Sequence, residues 1–189
     1  MQIFKRGLGI LIIFAISGMG TTCAQSAIDK LQPLVETSAR RLAIAKQLAL
    51  AKWDSQAPVE DAARETRVIT DAVKDGELRG LDRTFVVKFF AAQIEANKFI
   101  QYSLLANWHR VGRAPAHRLI NLATLRRELD RLQAGLIQEL VDTAPTRASS
   151  ACPADTAKAV GKYSKAHKLD ARSLLAIALD RALAATCTF

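Results

Sequence analysis

Turning each residue of the stretch QIEANKFIQYSLL, Gln93–Leu105, by about 100° on a wheel begun at Phe85 gathers Phe85, Phe89, Ile94, Ala96, Ile100, Leu104 and Leu105 on one half. The stretch therefore reads as helix. Lys88, Glu95 and Lys98 take the opposite half, which predicts a solvated face. Gln93, Asn97 and Gln101, one per turn, fall on the apolar side. A buried amide left unpaired costs about 1–3 kcal/mol, so another helix or a ligand has to meet these three groups.

The same helical period continues along most of the chain, and no strand-like alternation persists. The expected class is all-α: a bundle of about six helices, three of them long, closed by a C-terminal helical hairpin. A first helix is expected over 26–53, with Leu31, Leu34, Leu42, Ala45 and either Leu48 or Leu50 inward, stopping at Asp54-Ser55-Gln56. Pro58 suits the first turn of a second helix that ends at Asp75-Gly76. The third spans 82–110, and the fourth, beyond Gly112 and Pro115, spans 118–141. The segment 143–150 reads as a connector, followed by short helices over 156–167 and 171–185, the latter capped by Asp170.

Half of the 189 residues are hydrophobic, enough to bury the core of one domain. The opening MQIFKRGLGILIIFAISGMGTTCAQS pairs Lys5-Arg6 with an apolar run from Gly7 to Ile16 and then small residues. This is the pattern of a secretory signal, residues 1–24, leaving 25–189 as a single domain in the periplasm or outside the cell. The apolar run is too short to span a membrane, which needs about 20 residues, so no membrane attachment is expected after cleavage. Cys23 is preceded by Gly20-Thr21-Thr22, without the aliphatic residue usual at lipidation sites.

Cleavage removes two of the 27 basic residues and none of the 18 acidic ones, which lowers the net charge from +9 to +7. An exported chain of this charge has little occasion to meet nucleic acid; solubility, an envelope surface or an anionic small molecule remains. Only Cys152 and Cys187 are left after cleavage, and an oxidising compartment favours joining them. Such a bridge would clasp the outer ends of the last hairpin. The plainer alternative is two buried thiols.

His109, His117 and His167 have no metal-ligand spacing, and there is no CxxCH, nucleophile elbow or phosphate-binding glycine loop. Neither metal nor cofactor is expected. What remains is a set of cations and amides. Arg41 and Lys52 are eleven residues apart, or about 1100° around a helix, within about 20° of three full turns. They share a face with Cα atoms ~16 Å apart, so two long side chains leaning together can grip opposite ends of one small anion. Asp61, Arg64 and Glu65 are spaced as neighbours on the next helix, where a surface ion-pair cluster is the ordinary explanation.

Taken together, RLAIAKQLALAKW (41–53), VEDAARE (59–65) and QIEANKFIQYS (93–103) resemble the all-helical chorismate mutases, and within them the exported subclass. The resemblance rests on an Arg eleven before the Lys, an acid nine after it and an Arg twelve after it, and runs from about Arg41 to Leu132. It implies the conversion of chorismate to prephenate, a pericyclic rearrangement that needs no proton transfer, covalent intermediate or cofactor. The requirement is a compact bound dicarboxylate and stabilisation of negative charge growing on the ether oxygen.

Carried over residue by residue, the resemblance gives Arg41 a carboxylate and Lys52 both a carboxylate and the ether oxygen. Asp61 and Glu65 stand near the ring hydroxyl, with Arg64 beside them. Asn97 replaces a small hydroxyl residue of the family and keeps a donor, and Gln101 faces the ether oxygen. No role carries over to Gln93. Cytosolic members borrow an Arg from a partner subunit, whereas exported members supply it from a later helix. In LATLRRELDRL that residue is Arg126, with Arg127 as its rival. Val68 stands where some exported members carry a polar residue. The resemblance also implies a homodimer and a disulfide-closed C-terminal extension, where Cys152 and Cys187 fall. Two other readings remain at this stage: pyruvate elimination from isochorismate on the same scaffold, and a non-enzymatic binding protein for an anionic partner.

Overall fold

The computed structural model describes residues 26–188, which are helical with no strand; the expected leader lies outside the described residues. The first helical stretch is two segments, α1 (Ala27–Ala43) and α2 (Ala45–Ser55), rather than the single helix expected. Ile44 keeps helical angles, and Leu48 N–H still reaches its carbonyl at 3.1 Å. The interruption coincides with Asn97 donating its side-chain Nδ2 to the Arg41 carbonyl at 3.2 Å. In an unbroken helix that carbonyl serves residue 45, and a donor inserted into the ladder is a known cause of kinks.

The third helix, α3 (Ala62–Glu77), starts later than Pro58 suggests, because the Asp61 carboxylate captures Arg64 N–H at 3.1 Å and caps it. It also continues through Gly76, where a Cβ would lie 2.9 Å from Val86 Cγ2. That glycine permits close approach to the next helix and does not end its own. Helix α4 (Arg83–Val111) is 29 residues long, capped by Asp82 and stopped by Gly112 at φ 72°. Helix α5 (Leu122–Asp142) begins at an Asn121 cap, not at Arg118. The expected connector contains a short α6 (Ala144–Arg147), α7 (Cys152–Ala166) opens at the cysteine, and α8 (Leu174–Leu183) is capped by Ser173. Asp170 accepts from Arg172 N–H at 2.7 Å in the turn before α8.

Helix α4 packs against α2, α3 and α8, while α1 packs against α5, α7 and α8. Leu31, Leu34, Leu42, Phe89, Phe90, Leu136, Ile137, Leu140 and Leu179 fill the core between them. Of the two leucines left open in the first stretch, Leu50 is buried and Leu48 only half-buried. Cys152 and Cys187 are joined with their Cα atoms 5.8 Å apart, closing the α7–α8 hairpin. In this frame α4 meets α1, α2 and α3, and α5 packs against the same three helices.

Candidate active site

At that junction lies a cavity of about 400 Å³. Arg41, Lys52, Asp61, Arg64, Glu65, Asn97, Gln101 and Arg126 all line it, together with apolar walls from Leu48, Val68, Ile94, Leu122 and Leu129. Residues far apart in sequence meet there because α1, α2, α3 and α5 pack on one another around α4, and α3 contributes its N-terminal turn. The loop into α5 is tied back to α2 by His117 Nε2 and Asp54 Oδ2 at 2.9 Å.

The cations divide into two kinds. Arg64 is paired with Asp130 at 2.6 Å, Arg126 with Asp61 at 3.4 Å, and Lys98 with Glu65 at 3.1 Å. Among the described residues Arg41 and Lys52 have only carbonyl partners: Arg41 Nη1 donates to Leu129 O at 3.2 Å, and Lys52 Nζ donates to Val59 O. Arg41 is 4% exposed and its Nε is buried without a partner. Burial first, and then the nearby Arg64 charge, bring its pKa down to about 10, with Asp130 acting the other way. Lys52 is lowered mainly by burial, against the pull of Asp61, Glu65 and Glu60.

The amide stripe splits. Gln93 is fully buried away from the cavity and donates to Ser38 Oγ at 3.0 Å and Ala182 O at 3.2 Å, so it joins α4 to α1 and α8. Asn97 and Gln101 line the cavity, and Gln101 Nε2 donates to Asn97 Oδ1 at 2.8 Å. Gln101 Oε1 is buried without a partner. Arg127, in contrast to Arg126, turns to Thr124 Oγ1 at 3.0 Å and does not line the cavity.

Three features escape the sequence reading. Lys98 is not on a solvated face: its side chain is 14% exposed and bridges Glu65 and Glu95. The wheel places its Cα outward, but a lysine stem long enough to fold back onto α3 changes the outcome. Asp130 and Glu60 also line the cavity, the first as the partner of Arg64 and the second held by the Tyr102 hydroxyl. The Val59 carbonyl that receives Lys52 carries no sequence signal at all, since every residue has one.

Chemically, the cavity offers two cations that have no carboxylate partner among the described residues, two amides and an apolar wall. That set suits a small dianion whose reaction places further negative charge beside a fixed donor. Among the described residues no cluster of His, Cys, Asp and Glu is arranged to hold a metal ion.

Comparison with known proteins agrees with this chemistry. Residues 26–102 match the family described as chorismate mutase type II. The fold superposes on the crystal structure of a chorismate mutase from Burkholderia phymatum with a TM-score of 0.81 and 42% identity, covering 87% of this chain and 100% of that one. For the chorismate mutase from Burkholderia thailandensis the TM-score is 0.78 at 34% identity, covering 84% and 99%. A secreted chorismate mutase of Mycolicibacterium smegmatis is 27% identical over 86% of this chain and 91% of its own length.

Proposed function

The chain belongs to the chorismate mutase family and isomerises chorismate to prephenate, and from that premise we propose how its own residues divide the work. Arg41 takes one substrate carboxylate. Lys52 leaves the Val59 carbonyl to reach a carboxylate and the ether oxygen, whose growing charge it stabilises. Gln101 donates to the same oxygen from the other side, turning its amide away from Asn97. Asn97 supplies a further donor while its contact with the Arg41 carbonyl holds the α1–α2 junction in place. Arg64 and Arg126 complete the anion grip, and Asp61 and Glu65 meet the ring hydroxyl.

The observation that carries this reading is the separation of the cations: among the described residues Arg64, Arg126 and Lys98 are paired with carboxylates while Arg41 and Lys52 are not, and these two are among the residues that the resemblance assigns to the substrate. Arg41, Lys52, Arg64, Gln101 and Arg126 belong to α1, α2, α3, α4 and α5 of one chain, which supports a site complete within each subunit of a homodimer. Export, with residues 1–24 as leader and 25–189 as the working domain, is supported by the apolar opening segment and by relatives named as secreted. The deciding experiment is incubation of the purified mature chain with chorismate and, separately, with isochorismate, following both prephenate and pyruvate. Prephenate is the expected product. Pyruvate in its place would mean elimination from the ring, and neither product would leave only a binding protein.

A further inference from the structure

Lys98 lies one residue beyond Asn97 on α4, and its ammonium group is held from two sides, by Glu65 Oε2 at 3.1 Å and Glu95 Oε1 at 2.6 Å. The other oxygen of each carboxylate is also engaged. Glu65 Oε1 accepts from the Asp61 N–H at 3.3 Å, and Glu95 Oε2 faces Arg181 of α8 at 3.9 Å. Asp61 in turn caps α3 through Arg64 N–H and pairs with Arg126. A continuous polar chain therefore runs from α8 through α4 to the first turn of α3, where two cavity residues begin.

Glu65 and Lys52 line the same cavity, where the Glu65 charge favours the charged form of Lys52. With Lys98 absent, that carboxylate is free to turn toward Lys52, which among the described residues has no carboxylate partner in the same cavity. The cavity would then lose one of its two unpaired cations to an internal ion pair. We infer that Lys98 is a positioning residue: by holding Glu65 it fixes the N-terminus of α3 and keeps Lys52 available to the substrate. The inference rests on the proposed substrate site for its kinetic consequence, but the arrangement of α3 can be read without substrate.

The test uses the full mature chain with Lys98→Met, Lys98→Arg, and Lys98→Met combined with Glu65→Gln; the glutamine can still accept from Asp61 N–H. In the substrate-free protein, backbone amide exchange at Asp61 and Arg64 is expected to quicken about five- to tenfold in Lys98→Met, and KM for chorismate to rise by a similar factor with a smaller change in kcat. Lys98→Arg should restore both. Against a Glu65→Gln background, adding Lys98→Met should change KM less than twofold. Native-like exchange and KM in Lys98→Met would overturn the inference, as would an undiminished effect in the Glu65→Gln background. Lys98→Gln replaces the methionine variant should that one fail to fold. A native chain that does not turn over chorismate would defeat the functional reading instead, and the exchange rates would still decide the role of Lys98.

Discussion

Arg41 and Lys52 line one cavity from successive helices, and among the described residues neither has a carboxylate within 4.0 Å, although Glu60, Asp61, Glu65 and Asp130 line the same space. Such a pair is ready for an external anion. Lys52→Ala is expected to reduce kcat by ~10²–10³, the usual effect of removing one charge-stabilising donor. Arg41→Ala should act more on KM. A Lys52→Ala enzyme within severalfold of the native rate would remove Lys52 from the reacting oxygen.

Activity of the native enzyme should be nearly flat from mildly acidic to neutral pH and decline as pH rises toward 10. Arg41, at about 10, and Lys52, lowered by burial, are both cationic below their pKa, so their contribution is present at neutral pH and lost on the alkaline side. Gln101→Glu adds the opposite limb. A protonated carboxyl can donate to the ether oxygen and a carboxylate repels charge there, so this variant should work in acid and fade as pH rises through its own pKa. Gln101→Leu should be poor throughout. A Gln101→Glu profile superimposable on the native one would show that Gln101 does not face the reaction.

Arg126 lines the cavity while its neighbour Arg127 turns to Thr124. Arg126→Ala should therefore lose activity as Arg41→Ala does, and Arg127→Ala should stay within about twofold, since surface changes of this kind usually cost little. Mixed Arg41→Ala and Arg126→Ala chains should recover no activity if each site is built from one chain. Recovery on mixing would demonstrate a shared site.

Reduction of the Cys152–Cys187 bond, which spans 35 residues, should lower stability by roughly 3–4 kcal/mol, a shift in Tm of order 10 °C. Turnover at moderate temperature should persist, because the cavity is lined by α1 to α5 and the adjoining α2–α3 loop, and not by the hairpin. Thermal melts and prephenate assays with and without reductant check both halves.

Glu139 accepts from Thr37 Oγ1 at 2.6 Å, but its Oε2 is buried without a partner, and burial raises its pKa from 4.5 to about 7. Between those values the folded chain holds a proton that the unfolded chain has released, so this group's contribution weakens as pH rises from about 4.5 to 7. Glu139→Gln should melt a few degrees above the native protein at pH 8 and match it near pH 5. A difference independent of pH would assign the effect to packing.

The sequence by itself determined the all-helical class, the order of the long helices and most of the faces that turn inward, because a period of 3.6 residues fixes direction around an axis without reference to anything else, whereas the disulfide-closed hairpin was implied by the two cysteines and the family resemblance. It also brought Arg41 and Lys52 onto one face, as they are nearly three full turns apart. Helix starts were less legible at α3 and α5, where Asp61 and Asn121 capture backbone N–H groups in competition with the signals from Pro58 and Arg118. Only the tertiary structure decided which charges cancel. Whether Asp130 reaches Arg64, whether Lys98 folds back to Glu65, and whether Gln93 finds Ser38 and Ala182 while Gln101 stays at the cavity depend on the distances between helices. Those distances depend on how the helices pack through core residues such as Phe89, Phe90, Leu136 and Leu179, which come from three different helices. An ion pair forms or fails over about 4 Å, far finer than the angular position that periodicity supplies.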